Sequence, residues 1–542
     1  MEKRGFIALG LSLLFLALYP LALEHFYPDY YKQKAALSSA GQKAARPAPA
    51  PTAGAPAVVS PEEVSAADPA RDTALKTGSL ELWFNAEGGA IRQIRLPRFP
   101  GEKAGSPLEI FALDRMDDAP TALQTGPAGG RAMTTYHITS WGEEVAASAA
   151  LPDGLEVVKK YSFENGGYDG RLGLVFKNAS GRPLKFRYRL LVGPSIPPRH
   201  AIDGQYIEAN FYSEENGKKV LRHLNESKSG KTVEGQGTIE WAATKDRHFS
   251  VILKPQSDVA FKGLVEGLGS HRFRVSLESP ELLVPPGGSL AHDFLLYIGP
   301  NDIDRLLPLG LDPLVNFGKL DAIGKLLVGA LELLQKACGN YGLAIIALTF
   351  LINVLLFPLT RVSYMSMKRM QLIQPHMNKI KDQHKKNPEK LNKEMMELYR
   401  KHKVNPFGGC LPMVLQMPVF MALYVALSKS VALVDSRFLW ARDLSSPDAV
   451  PLPFALPFVG SQLHVLPLIM VAAMVIQQKF TQIKIEGQDP AMESQQKMMA
   501  VVMPIMFGFI FYGMPSGLVL YWLTNTVLMA LYQAHLKKLT LA

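Results

Sequence analysis

The run from Tyr341 to Leu359 carries no formal charge, and this feature constrains the chain most. At ~1.5 Å of rise per residue such a helix nearly matches the ~30 Å hydrocarbon core of a bilayer, where each backbone polar group must be satisfied internally. Similar apolar runs occur at Leu411 to Leu427, His464 to Phe480, Ala500 to Tyr512 and Gly517 to Gln533. Another, Gly5 to Leu23, follows Glu2-Lys3-Arg4 and ends at Leu23-Glu24-His25-Phe26 instead of a small-x-small cleavage site, which predicts an uncleaved anchor. The fold class is therefore a polytopic α-helical membrane protein with six transmembrane helices.

The net charge of +10 points either to nucleic acid or to the positive-inside rule, and its distribution decides between them. Between Arg361 and Lys403 there are twelve Lys/Arg against four Asp/Glu, in a segment short enough for the rule to place it in the cytoplasm. Counting spans from a cytoplasmic N-terminus then puts residues 24–340 outside, 361–410 inside, 428–463 outside, 481–499 inside, and Lys537-Lys538 inside. Both termini are then expected in the cytoplasm.

Residues 35–75 are rich in Ala, Pro and Gly and hold too few large apolar side chains to repay ordering, which predicts a flexible tether. From Gly78 the texture becomes short alternating runs closed by turn signals. Examples are Leu80 to Phe84, Ile91 to Leu96, Leu155 to Phe163, Arg171 to Phe176, Leu184 to Val192, Phe249 to Leu253, His271 to Leu277 and Leu290 to Ile298. Many short strands with Gly-rich turns predict a large β-sandwich outside the cytoplasm. Beyond Pro308, Leu314, Phe317, Leu320, Ile323, Leu327 and Leu331 recur at helical spacing, interrupted by Lys319, Lys325, Glu332 and Lys336. That mixture suits an amphipathic helix at the membrane interface better than a span.

The basic segment has its own pattern. Met370, Ile373, Met377 and Ile380 form one apolar stripe, Leu391, Met395 and Leu398 another, and Asn387-Pro388-Glu389 reads as an N-cap, first-turn Pro and first-turn acid. A helical hairpin follows, with Arg361, Met370, Lys385, Lys386 and Met395 as its candidate functional residues. Its charges are either a solvated face or a dock for ribosomal RNA, anionic headgroups or acidic polypeptide segments. Met365, Met367 and Met370 are read as flexible thioethers for contact with apolar partners, while most of the other methionines near the loops read as gap fillers.

No nucleophile, phosphate-loop or metal motif has the spacing its chemistry requires, and Cys338 and Cys410 form no redox or zinc pattern. His376, His384 and His402 are not spaced to put three ligands on one face, so no catalytic residue, metal, cofactor or small-molecule substrate is expected. The spans do hold polar residues: Thr349 and Asn353 four apart on one face, then Gln416, then Gln477 and Gln478, then Tyr521, Trp522, Thr524 and Asn525. These residues either join helices by hydrogen bonds or line a wet cavity in the bilayer. A transporter or channel is the alternative reading, though no repeat among the spans and no paired ionisable residues at mid-depth favour it.

The stretches Asn340-Tyr341-Gly342 through Phe357-Pro358-Leu359-Thr360, Val404-Asn405-Pro406-Phe407-Gly408-Gly409-Cys410, Gln416-Met417-Pro418-Val419-Phe420, and Pro515-Ser516-Gly517-Leu518-Val519-Leu520-Tyr521-Trp522 occur in that order. Each lies beside one of the apolar runs. Together they resemble the signature blocks of the YidC membrane protein insertases, over residues 320–538, and the anchor, tether and β-domain match the Gram-negative type by layout. The resemblance implies a hydrophilic groove that opens to the cytoplasm and to lipid, and through which client segments slide into the membrane. Groove or client-contact roles fall on Thr349, Asn353, Gln416, Gln477, Tyr521 and Trp522. Asn353 stands where the family usually carries an arginine, so it supplies a dipole instead of a charge. The implied partners are nascent membrane proteins and lipids, with the Sec translocon and the ribosome as candidates, and no enzymatic activity is implied. The expected layout is an anchor at 1–25, a tether at 26–77, a β-sandwich at 78–305, an interfacial helix at 306–339 and an insertase core at 340–542 with its hairpin at 361–405.

Overall fold

The alternating run Leu155–Phe163 lies inside a nine-stranded antiparallel sheet, flanked by Glu144–Ala150 and Asp169–Asn178. The structure, a computed structural model, describes residues 68–542 apart from 102–104, 126–133, 200, 225–231, 236, 258, 270–271, 317–320, 385–386, 403, 405–410, 457–459, 482–489 and 540–542. The expected anchor, most of the tether, Lys385, Lys386 and the Asn405–Cys410 block lie outside the described residues. The sheet continues through Ser289–Pro300, Phe249–Pro255, Thr238–Lys245, Glu208–Glu215 and Lys218–Leu224, with His137–Trp141 at its other edge. A five-stranded sheet centred on Tyr188–Pro194 and Arg272–Glu278 packs on it, and a four-stranded sheet over residues 72–112 extends the same core. Trp241 is wholly buried in that core and stacks on Tyr212 with ring centroids 5.4 Å apart.

Strand structure begins before residue 77, the expected end of the tether. Asp72–Lys76 forms a strand paired antiparallel with Glu81–Asn85, and Leu75 is buried in the core. An edge strand needs only backbone partners and one apolar anchor, which a polar sequence satisfies.

The interfacial segment also differs from expectation. Pro308, Gly310 (φ 67°) and Pro313 break the chain into 3₁₀ turns at Leu307–Leu309 and Asp312–Leu314, and Leu314 packs into the sandwich core. A longer helix spans Asp321–Cys338 (α1), leaves Leu326 and Leu333 exposed, and buries Leu331.

Among the described residues, seven further helices form the helical core and its appendage: α2 (Tyr341–Leu372), α3 (Gln374–Gln383), α4 (Pro388–Lys401), α5 (Leu411–Lys429), α6 (Val465–Thr481), α7 (Pro490–Tyr512) and α8 (Ser516–Leu539). Among the described residues one stretch, Tyr341–Pro358, is long and apolar enough to cross a membrane, and Val465–Gln478 and Ala500–Tyr512 are shorter apolar helices. α2 continues past the apolar run, through Pro358 to Leu372, and the proline removes only one backbone hydrogen bond. The hairpin itself is formed by α3 and α4, which close over Ile373, Met377 and Val404, with Met370, Met395, Leu398 and Tyr399 packed around them. Asn387 caps α4 by accepting from the Lys390 N–H at 3.1 Å.

Candidate functional site in the helical core

α2, α5 and α8 pack on one another, and α6 packs on α7 and α8. Their shared core includes Ile345, Leu348, Leu423, Leu427, Met470, Phe511 and Tyr521. The outward faces are also apolar: Phe350, Val354, Leu355, Val501, Phe509 and Leu531 are all exposed. Helices apolar on both sides are not satisfied by water, and this surface suits lipid.

Inside this frame the polar residues join helices in pairs. Thr349 is fully buried, and its Oγ1 donates to the Ile345 carbonyl at 2.6 Å, a bond back along its own helix. Asn353, one turn on, is half-buried. Its Nδ2 donates both to the Thr349 carbonyl and to Asn525 Oδ1 on α8, each at 2.9 Å. Gln416 Nε2 on α5 donates to the Tyr521 hydroxyl on α8, and Tyr521 is buried. Trp522 is half-buried in an aromatic box, with centroids 5.0 Å from Phe420, 5.2 Å from Phe507 and 5.2 Å from Phe511. Gln477 is half-buried on α6.

Asn353 also lines a half-open hollow of about 140 Å³ between α2 and α8, with Phe350, Val354, Phe357, Thr360, Leu528, Met529 and Tyr532. Arg361 is exposed two turns beyond Asn353, on the extension of α2. Met370 and Met395 belong to the hairpin's apolar core. The site residues thus divide into an interhelical polar set, an aromatic box and the hairpin. Thr349 does not face the hollow.

One end of the core is closed by residues 430–464. Asn340 caps α2, its Oδ1 accepting from the Gly342 and Leu343 N–H groups, while its Nδ2 donates to the Arg437 carbonyl at 2.9 Å. A Cβ on Gly342 would lie 2.2 Å from the Phe438 ring. At the start of α8, the Ser516 N–H donates to the Ser446 carbonyl and the Gly517 N–H to that of Leu444. Asp448, buried, accepts from the Val465 and Leu466 N–H groups and so caps α6. Two of the sequence blocks therefore serve to bind this closing loop. Sequence reading missed the Asp448 cap and the Phe507 and Phe511 walls. Asn525, read from the sequence as one of the polar residues of the last span, was given no groove role there, although it lies four residues after Tyr521 on one face of a helix.

Residues 72–330 match the family model described as the YidC periplasmic domain, and residues 333–541 match that described as 60Kd inner membrane protein. A membrane protein insertase YidC from Geobacter metallireducens is 32% identical, over 99% of this chain and 98% of its own. One from Pelobacter propionicus is 32% identical over 99% of both chains. An active YidC insertase crystal structure with the first transmembrane domain resolved is 19% identical and covers 86% of this chain and 93% of that one, with a TM-score of 0.38. With full-length relatives above 30% identity and both halves matched, the chain belongs to the YidC family of membrane protein insertases.

Proposed function

We propose that this protein takes apolar segments of newly made membrane proteins from the cytoplasmic face and passes them sideways into the bacterial inner membrane. The observation that carries this reading is the coexistence of an apolar exterior with the linked polar groups of Asn353, Asn525, Gln416 and Tyr521 inside the helical core. A client's polar flank crossing beside such groups avoids the full cost of dry hydrocarbon. The gain comes from burying the client's ~20 apolar residues in lipid, so no nucleotide is consumed.

The same reading has six spans, both termini and the α3–α4 hairpin in the cytoplasm, and the sandwich and closing loop on the periplasmic side. Thr349, Asn353, Gln416, Gln477, Tyr521 and Trp522 form the groove wall and its supports. Arg361, Met370, Lys385, Lys386 and Met395 belong to the receiving hairpin. Nascent chains, lipid, the ribosome and the Sec translocon are its partners. The polar groups joined in the core are neutral, whereas ion-coupled transport calls for ionisable ones, so a transporter gains no support.

Reconstitution tests the reading. Purified protein in liposomes of phosphatidylethanolamine and phosphatidylglycerol should raise the protease-protected fraction of a small single-span client well above that of empty liposomes. Equal protection with and without the protein would reject it.

A further inference from the structure

The orientation of both amides in the Asn353–Asn525 pair is fixed by the chain. The Thr349 carbonyl accepts, so Asn353 must turn its Nδ2 toward it, and that same Nδ2 reaches Asn525 at 2.9 Å, so Asn525 must present Oδ1. Both N–H bonds of Asn353 are then used. Its Oδ1 and the two N–H bonds of Asn525 have no partner among the described residues, and both side chains are only half-buried. The pair therefore offers one acceptor and a set of donors side by side, with no net charge. The neighbouring hollow brings apolar walls, Phe350, Val354, Phe357, Leu528 and Met529, up to Asn353. Thr360 adds no donor there, because its hydroxyl donates back to the Leu356 carbonyl. Unmatched amide groups beside apolar walls favour a ligand that completes their hydrogen bonds without bringing in charge.

We propose that the Asn353–Asn525 pair is a recognition point for neutral amide groups of the passing client. The complementary pattern is an N–H for Asn353 Oδ1 beside a C=O for Asn525 Nδ2, which a primary amide presents on one edge and an extended backbone presents from one residue on one side. That chemistry comes either from backbone peptide groups of an extended tail or from Asn and Gln side chains. Recognition of this kind is indifferent to acidic charge, so the pair sets which polar tails cross easily. The inference rests on the insertase reading above.

The experiment uses the full chain in phosphatidylethanolamine/phosphatidylglycerol liposomes and three single-span clients. One has a Gln/Asn-rich translocated tail, one a Ser/Gly tail, and one no tail. Asn525→Ala, which removes the donors, should lower the protease-protected fraction of tailed clients about tenfold more than that of the tailless client, equivalent to ~1.4 kcal/mol. Loss with both tails identifies backbone amides as the ligand, and loss with the Gln/Asn tail alone identifies side-chain amides. Asn525→Leu, close to the amide in shape but without donors or charge, should behave like Asn525→Ala and carries the test if the alanine variant melts early. Equal loss for all three clients, or none for any, overturns the proposal. A wild-type protein that inserts no client would instead reject the insertase reading.

Discussion

The guanidinium of Arg247 donates from Nε to the main-chain carbonyl of Ser428, which joins the sandwich to the last turn of α5. Arg247 is almost wholly buried, lies 3.4 Å from Asp203 Oδ1, and sits over the Tyr206 ring at 5.7 Å. Lys429 makes a second link, its Nζ donating to the Asn316 carbonyl at 2.8 Å. The last carbonyls of a helix have no partner within it, and a cation there is favourable. The sandwich thus supplies a cap for a core helix.

Arg247→Met is expected to remove this cap and to strip the buried Asp203 carboxylate of one cation. Breaking a buried pair from one side costs on the order of 3 kcal/mol. Melting of the purified protein in detergent should fall by several degrees, and protease should cut near residue 430 sooner. The double variant Asp203→Asn/Arg247→Met should lose less than the sum of the singles. Strict additivity would mean that the pair does not couple the two parts.

Lys159 gives a pH signature inside the sandwich. Its Nζ donates to the carbonyls of Gly88 at 2.7 Å, Gly89 at 3.2 Å and Thr121 at 2.7 Å, and it lies 4.8 Å from the centre of the Tyr136 ring. Burial lowers its pKa to about 7, from the ordinary 10.5. The unfolded chain therefore holds the extra proton between about pH 7 and 10.5, and the stability contributed by this group rises across that window. Relative to Lys159→Met, the wild type should gain on the order of 1 kcal/mol per pH unit from pH 7.5 to 9.5. A difference flat with pH would mean that the three carbonyls hold the ammonium charged throughout.

The Asn387 cap tests whether the hairpin acts as a folded unit. Asn387→Ala should cost about 1 kcal/mol of α4 stability. Protease should then clip the hairpin faster, and client insertion should slow, while the melting of the spans stays unchanged. Restoration of both by Asn387→Asp or Asn387→Ser would tie the loss to the cap. Normal insertion by a clipped hairpin would separate the appendage from function.

Much of this architecture is written in local periodicity. Leu155–Phe163 buries alternate residues as its sequence alternates, and Asn387-Pro388-Glu389 caps α4 as its residue types require. Thr238–Lys245 was not legible, because nearly all of Trp241 to Lys245 is buried on both faces and the run mixes Ala, Thr and Lys. Glu144–Ala150 hides its period in alanines. In the core, the sequence revealed which residues are polar but not their partners. That Asn353 meets Asn525, 172 positions away, depends on how α2 and α8 pack, as does the distant cap that Asp448 gives α6. Thr349 and Asn353 do share a helical face, yet a hydroxyl that bonds its own helix is indistinguishable in sequence from one that faces water.

That distinction can be measured with single cysteines in a Cys338→Ser/Cys410→Ser background. Thr349 is fully buried with its hydroxyl tied to Ile345, so Thr349→Cys should resist charged, water-soluble maleimides. Asn353→Cys, at the edge of the hollow, and Gln477→Cys, half-buried on α6, should react from the cytoplasmic side. Thr349→Val should then leave insertion nearly intact, since a back-bonded hydroxyl contributes little beyond its shape. Asn353→Arg should be tolerated and should shift preference toward acidic tails, since water entering the half-open hollow would keep a guanidinium hydrated. Thr349→Cys reacting as fast as Asn353→Cys would mean that water reaches deeper than the hollow and that Thr349 belongs to the client's path. If neither reacts and Asn353→Arg fails to fold, the amides join helices and the polar set has no part in moving clients.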